Sequence, residues 1–214
     1  MKQGMEHEGP RGRMIVFEGI DGSGKSTQVK RLAATLEAAG HRVHVTFEPT
    51  KYRIGSILRR ILIGEESADE ATIAALFAAD RLDHIHHPGY GMRHLLDQGV
   101  TVLCDRYLFS SYAYNSQSVP LEWVYQLNAQ AAQDLQADLT LFLDLSPAQA
   151  MARILQHRDT VDHYESQETL QRVYDRYQQA FAEKGKDENI ARISSDQPVE
   201  AVAEAIWQEV KTLF

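Results

Sequence analysis

The chain has 214 residues, a formal net charge of −8 and a single cysteine. That length builds one well-buried domain and is short for two. The acidic balance excludes a broad basic surface for nucleic acid, one thiol excludes an internal disulfide, and no apolar run approaches the ~20 residues of a membrane span.

Residues 1–13 are polar, with Gly4, Gly9, Pro10 and Gly12, and read as a mobile tail lacking the apolar core of a signal peptide. With Cys104 inside an apolar run, this predicts a reduced, cytoplasmic protein. Residues 14–17 (Met-Ile-Val-Phe) predict a short buried strand. Gly19-Ile20-Asp21-Gly22-Ser23-Gly24-Lys25-Ser26 follows and fits G-x-x-x-x-G-K-[ST]. From Thr27 to residue 39 the chain predicts a helix with Val29, Leu32, Ala33 and Leu36 on one face, closed by Gly40. Strand, glycine-rich loop and helix in this order let backbone N–H groups turn inward around phosphates, with the helix N-terminus adding partial positive charge. A bound nucleoside triphosphate is therefore expected, with Lys25 on its β- and γ-phosphates and Ser26 on Mg²⁺.

Further strands are predicted at 43–47, 101–104, 139–143 and 191–193, and helices at 54–63, 71–86, 91–97, 121–133, 147–156, 168–182 and 198–213. Ser146-Pro147 marks one helix start, and Asp196-Gln197-Pro198 a similar one. The alternation predicts an α/β fold, a mainly five-stranded parallel sheet with helices on both faces, residues 14–214 forming a single domain. Ligands of such sheets lie beyond the carboxyl ends of the strands. Asp105 and Arg106 directly follow the strand at 101–104, where a carboxylate would hold Mg²⁺ directly or through water and a guanidinium would grip a second phosphate. His84, His86 and His87 crowd a helix end that Pro88-Gly89 terminates. They predict a solvated terminus rather than a metal cluster.

Phe17 to Gln28, with Asp105-Arg106-Tyr107 and Ser111-Tyr112-Ala113-Tyr114, resembles the thymidylate kinase family. The similarity continues through Glu48-Pro49, through Leu76 to Arg81, and from Asp144 to Arg158. The resemblance implies a P-loop nucleoside monophosphate kinase fold and transfer of the γ-phosphoryl of ATP to dTMP, with Mg²⁺, usually in a homodimer. It implies a small lid at about residues 153–167. It places Phe77 against the acceptor base, Arg81 and Ser111 at the base edge, and Tyr114 against the sugar, disfavouring a 2′-hydroxyl. Arg106, with either Arg59 or Arg60, would hold the acceptor phosphate, and Glu48 also falls on the acceptor side. Asp21 would contact the acceptor sugar or Mg²⁺-bound water, and Glu18 would brace the loop. Gly22 stands where one branch of the family has an arginine, which passes that charge to Arg153 or Arg158 of the lid. Phe47 replaces a usual arginine before Glu48, and Asp162-His163 a usual Asp-Arg. Two alternatives fit the same loop: a kinase for another nucleoside monophosphate or nucleoside, and a catalytically weak nucleotide-binding relative.

Overall fold

In the computed structural model, which describes residues 10–157 and 166–214, the strand opened by Met14 alternates between two cores. Met14 and Val16 pack with Val102, Cys104 and Phe142, whereas Ile15 and Phe17 pack with Leu103, Leu141 and Ile193. A period-2 backbone that is apolar at every position must be covered twice.

The strands β1 (Met14–Glu18), β2 (Val43–Phe47), β3 (Thr101–Asp105), β4 (Leu139–Asp144) and β5 (Ile190–Ser194) form one sheet in the order β2-β3-β1-β4-β5. Every pairing is parallel. Helix α1 (Lys25–Ala38) and the last helix, α9 (Val199–Val210), cover the second core through Val29, Leu32 and Leu36 and through Val202, Ile206 and Val210. Between them in sequence lie α2 (Arg53–Leu62), α3 (Glu70–His86), α4 (Met92–Asp97), α5 (Leu108–Tyr114), α6 (Leu121–Asp134), α7 (Pro147–His157) and α8 (Gln167–Lys184). Buried residues from α3 to α8, among them Ile85, Leu96, Phe109, Val124, Ile154 and Tyr177, fill the first core. Strand order reverses beside β1, so the carboxyl ends of β1, β3 and β4 frame one crevice.

Three local outcomes differ from the sequence reading. Helix α5 carries no polar face: Leu108 to Ala113 are all buried, so no 3.6-residue stripe announces it. The last helix starts at Val199, with Pro198 as an unassisted cap, instead of one residue earlier. Of the segment read as a tail, residues 11–13 are pinned: Arg11 and Arg13 reach Asp138 at 3.1 and 3.4 Å, and the Gly12 N–H bonds the Leu96 carbonyl. The Ser146 cap is present, its hydroxyl accepting from the Gln149 N–H.

Candidate active site

The loop after β1 turns on glycines at positive φ: Gly19 at 144°, Gly22 at 78° and Gly24 at 94°. At Gly22 a Cβ would stand 2.7 Å from the Ala150 carbonyl of α7, so this position excludes side chains by contact as well as by φ. Gly24 caps α1 without a side-chain hydrogen bond, which leaves the first-turn N–H groups to a ligand. The Lys25 ammonium donates to the carbonyls of Gly19 and Ile20 at 3.0 and 3.1 Å. Burial, and next the Arg106 charge, lower the Lys25 pKa to about 8.

Beside it, the Ser26 hydroxyl donates to Asp105 Oδ2 at 2.8 Å. Asp105 Oδ1 is buried and has no hydrogen-bond partner among the described residues. A hydroxyl and a free carboxylate oxygen at a phosphate loop are hard donors suited to Mg²⁺, and the orphaned oxygen is the group that such an ion would satisfy.

Arg106 has φ 73°, alone among the described non-glycine residues in lying at positive φ. Such a backbone costs roughly 1–3 kcal/mol and marks a constrained site. Its N–H is fixed to the Phe17 carbonyl at 2.9 Å. Its guanidinium meets Asp21 at 2.5 Å, the Tyr114 hydroxyl at 3.2 Å and the Gly19 carbonyl at 3.3 Å. The Tyr114 hydroxyl in turn donates to Asp21 at 3.0 Å. Burial would raise the Asp21 pKa, but the charges of Arg106 and Lys25 and the bonds from Tyr114 and Arg106 hold it below the usual carboxylate value. The fold thus brings Asp21, Lys25, Ser26, Asp105, Arg106 and Tyr114 together.

The second group lies beyond β2. Arg81 is 1% exposed and fully engaged: it donates to Glu48 at 2.8 Å, to Ser111 at 2.9 Å, to the Tyr107 carbonyl at 2.9 Å and to Asn128. Glu48 also meets His84 Nδ1 at 3.0 Å, and His84 Nε2 meets the Thr46 hydroxyl at 2.7 Å. Since burial alone would push the Glu48 pKa up, its depressed value reflects Arg81 and the His84 bond. Phe77 is half-buried one turn before Arg81 on α3. Arg59 turns inward to the carbonyls of Pro49 and Thr50 and lies 4.9 Å over the Phe47 ring, while Arg60 turns outward to Glu66.

The model of the family described as thymidylate kinase matches residues 17–206. The chain belongs to the thymidylate kinase family. It is 36% identical over 207 residues to a probable thymidylate kinase of Pyrococcus abyssi, covering 94% of this chain and 97% of that one. It is 36% identical over 212 residues to a thymidylate kinase of Solidesulfovibrio magneticus, covering 94% and 99%. A probable thymidylate kinase of Pyrococcus horikoshii is 40% identical over 168 residues, 76% of this chain and 78% of that one.

As a thymidylate kinase family member, the chain shows features that its sequence hid. His84 is not solvated: it is buried against Glu48, whereas His86 pairs with Asp134 and His87 stacks on Tyr90. Only the i, i+3 register of Arg81 and His84 hinted at a shared face. Asn128 has no signature in the sequence, because an amide inside an amphipathic helix carries no motif. Arg81, expected at an open base edge, has its donors on protein atoms instead. Arg153 donates to the Ser195 carbonyl at 2.7 Å, and the Ser195 hydroxyl donates to the Ser23 carbonyl at 2.5 Å. Arg158, Asp162 and His163 lie outside the described residues.

Proposed function

We propose that the chain transfers the γ-phosphoryl group of ATP to dTMP, giving dTDP and ADP. The observation that carries this is the Ser26–Asp105 pair with its unpartnered carboxylate oxygen, set beside Arg106 and Asp21 at the mouth of the loop. The family name supports the acceptor. Loop residues Gly19 to Thr27 bind the triphosphate, Lys25 neutralises its β- and γ-oxygens, and Arg106 lies between donor and acceptor. Ser26 and Asp105 would hold Mg²⁺, which neutralises phosphate charge when bound. The attacking oxygen belongs to an ionised phosphate, so no strong general base is needed. Asp21 and Tyr114 orient Arg106 and border the sugar, Phe77 and Ser111 serve the base with Arg81 holding Ser111 from behind, and Glu48 and Arg59 support the segment after β2. Arg153 of α7, or Arg158, would supply the charge that Gly22 lacks. A homodimer and a cytoplasmic setting complete this reading.

An acceptor screen coupled to ADP formation tests it. dTMP is expected to rank first, with dUMP about 10–200-fold lower because one methyl group in an apolar pocket is worth about 1–3 kcal/mol. Another nucleotide or a nucleoside ranking above dTMP would overturn the proposal.

A further inference from the structure

The residue before the loop is fully buried and bonded on both carboxylate oxygens. Glu18 Oε1 accepts the backbone N–H groups of Tyr107 and Ser110 at 2.9 and 3.1 Å. Oε2 accepts the hydroxyls of Ser110 and Tyr177 at 2.6 and 2.9 Å. Strand β1, the β3–α5 turn and α8 thus meet on one side chain.

We infer that Glu18 is a positioning residue that fixes the direction of the Ser110 hydroxyl proton and, through it, the seat of the Arg106 guanidinium. This rests on the reading of Arg106 as a phosphate-contacting residue. A serine hydroxyl has one proton to give. The carboxylate only accepts, so it takes that proton, and a lone pair of Ser110 Oγ is left facing Arg106 Nη1 at 3.1 Å. That bond adds to those from Asp21, Tyr114 and the Gly19 carbonyl, and it acts on a residue whose backbone is already strained.

Glu18→Gln keeps the shape of the side chain and reverses its polarity toward Ser110. Two backbone N–H groups require the amide oxygen at the Oε1 position, so the amide NH₂ must face Ser110 and Tyr177. Ser110 then accepts from glutamine, and its proton must turn either to the Tyr177 hydroxyl oxygen at 2.9 Å, whose own proton can pass to the Gly19 carbonyl at 3.4 Å, or toward Arg106, which is itself a donor. Tyr177→Phe closes the first outlet, so in the Glu18→Gln, Tyr177→Phe double variant a charge-assisted bond becomes a repulsive contact.

Steady-state kinetics and thermal melts on E18Q, Y177F, the E18Q/Y177F pair and that pair on S110A test this, with ATP and dTMP as substrates. E18Q/Y177F is expected to lower kcat/KM for dTMP about 10- to 100-fold, more than the product of the two single losses, with the KM for ATP within about twofold of wild type. S110A removes the misdirected proton, so adding E18Q and Y177F to it should cost less than about a further twofold. Wild-type kinetics for E18Q/Y177F, or losses that simply add in it, would overturn the relay. Y177F alone leaves Glu18 to take the Ser110 proton, so a loss as large as that of E18Q/Y177F also counts against it. If E18Q/Y177F does not fold, S110T against S110A decides: the relay requires that threonine restore activity. Arg106→Ala with unchanged kinetics would instead sink the reading of Arg106, a separate result.

Discussion

At the phosphate loop, Lys25 has its pKa lowered to about 8, Asp105 keeps an oxygen without a partner among the described residues, and the start of α1 has no side-chain cap. At the β2–α3 end, Glu48, Arg81, His84, Asn128 and Thr46 satisfy one another in a closed buried network. The first region holds polar groups that only a charged ligand completes. The second is complete and acts as a rigid wall, so it contributes shape and position, while charge comes from the loop side.

Lys25→Met should have the largest effect on activity, about a 10²–10³-fold loss in kcat with the fold retained, measured by steady-state kinetics and a thermal melt. The same residue gives a pH signature. The free protein holds Lys25 partly neutral between pH about 8 and its ordinary value of 10.5, whereas phosphate beside it favours the charged form. ATP binding is therefore expected to take up a proton in that window and to weaken as pH rises through it. Calorimetry in two buffers of different ionisation enthalpy reads the proton count, and a count of zero at pH about 9, inside the window, would contradict the poised-lysine account.

Breaking the closed network should show in stability instead. Arg81→Met leaves the Glu48 charge buried without its main partner and is expected to cost about 3–5 kcal/mol in denaturant unfolding. Because the Glu48 pKa is depressed, its contribution is fully present above the ordinary glutamate value of 4.5 and is lost as pH falls through the lower folded value. If Arg81→Met matched wild-type stability, the contrast between the two regions would fail.

A smaller effect is expected at Gly22. Gly22→Ala adds a Cβ 2.7 Å from the Ala150 carbonyl at φ 78° and should cost about 1–3 kcal/mol, read as a lowered midpoint of unfolding. Smallest is Arg60→Ala, whose exposed partner Glu66 makes the pair worth about 0–1 kcal/mol. Its kinetics should match wild type, whereas Arg59→Ala should raise the KM for dTMP. Equal effects of the two would erase the inward and outward assignment.

Much of the donor half was legible because a phosphate loop is contiguous. Strand, glycines, lysine and helix are neighbours in sequence, and Asp105 lies at a strand end that hydrophobic patterning marks. The sheet order was not legible from any one segment, and α5 escaped because its burial on all sides erases periodicity. The choice between Arg59 and Arg60 depended on whether Pro49 or Glu66 lay within reach, which is a matter of chain path.

The sequence by itself determined the alternation of strands and helices, the phosphate loop and the family, since each is written in local spacing and residue type. Tertiary structure alone decided that Arg81 is enclosed, that His84 is a core histidine and that Arg153 is tied to Ser195. These depend on partners as many as 47 positions away for Arg81, 38 for His84 and 42 for Arg153. A buried charge adopts whichever partner the fold brings within hydrogen-bond reach, and no local pattern encodes that distance.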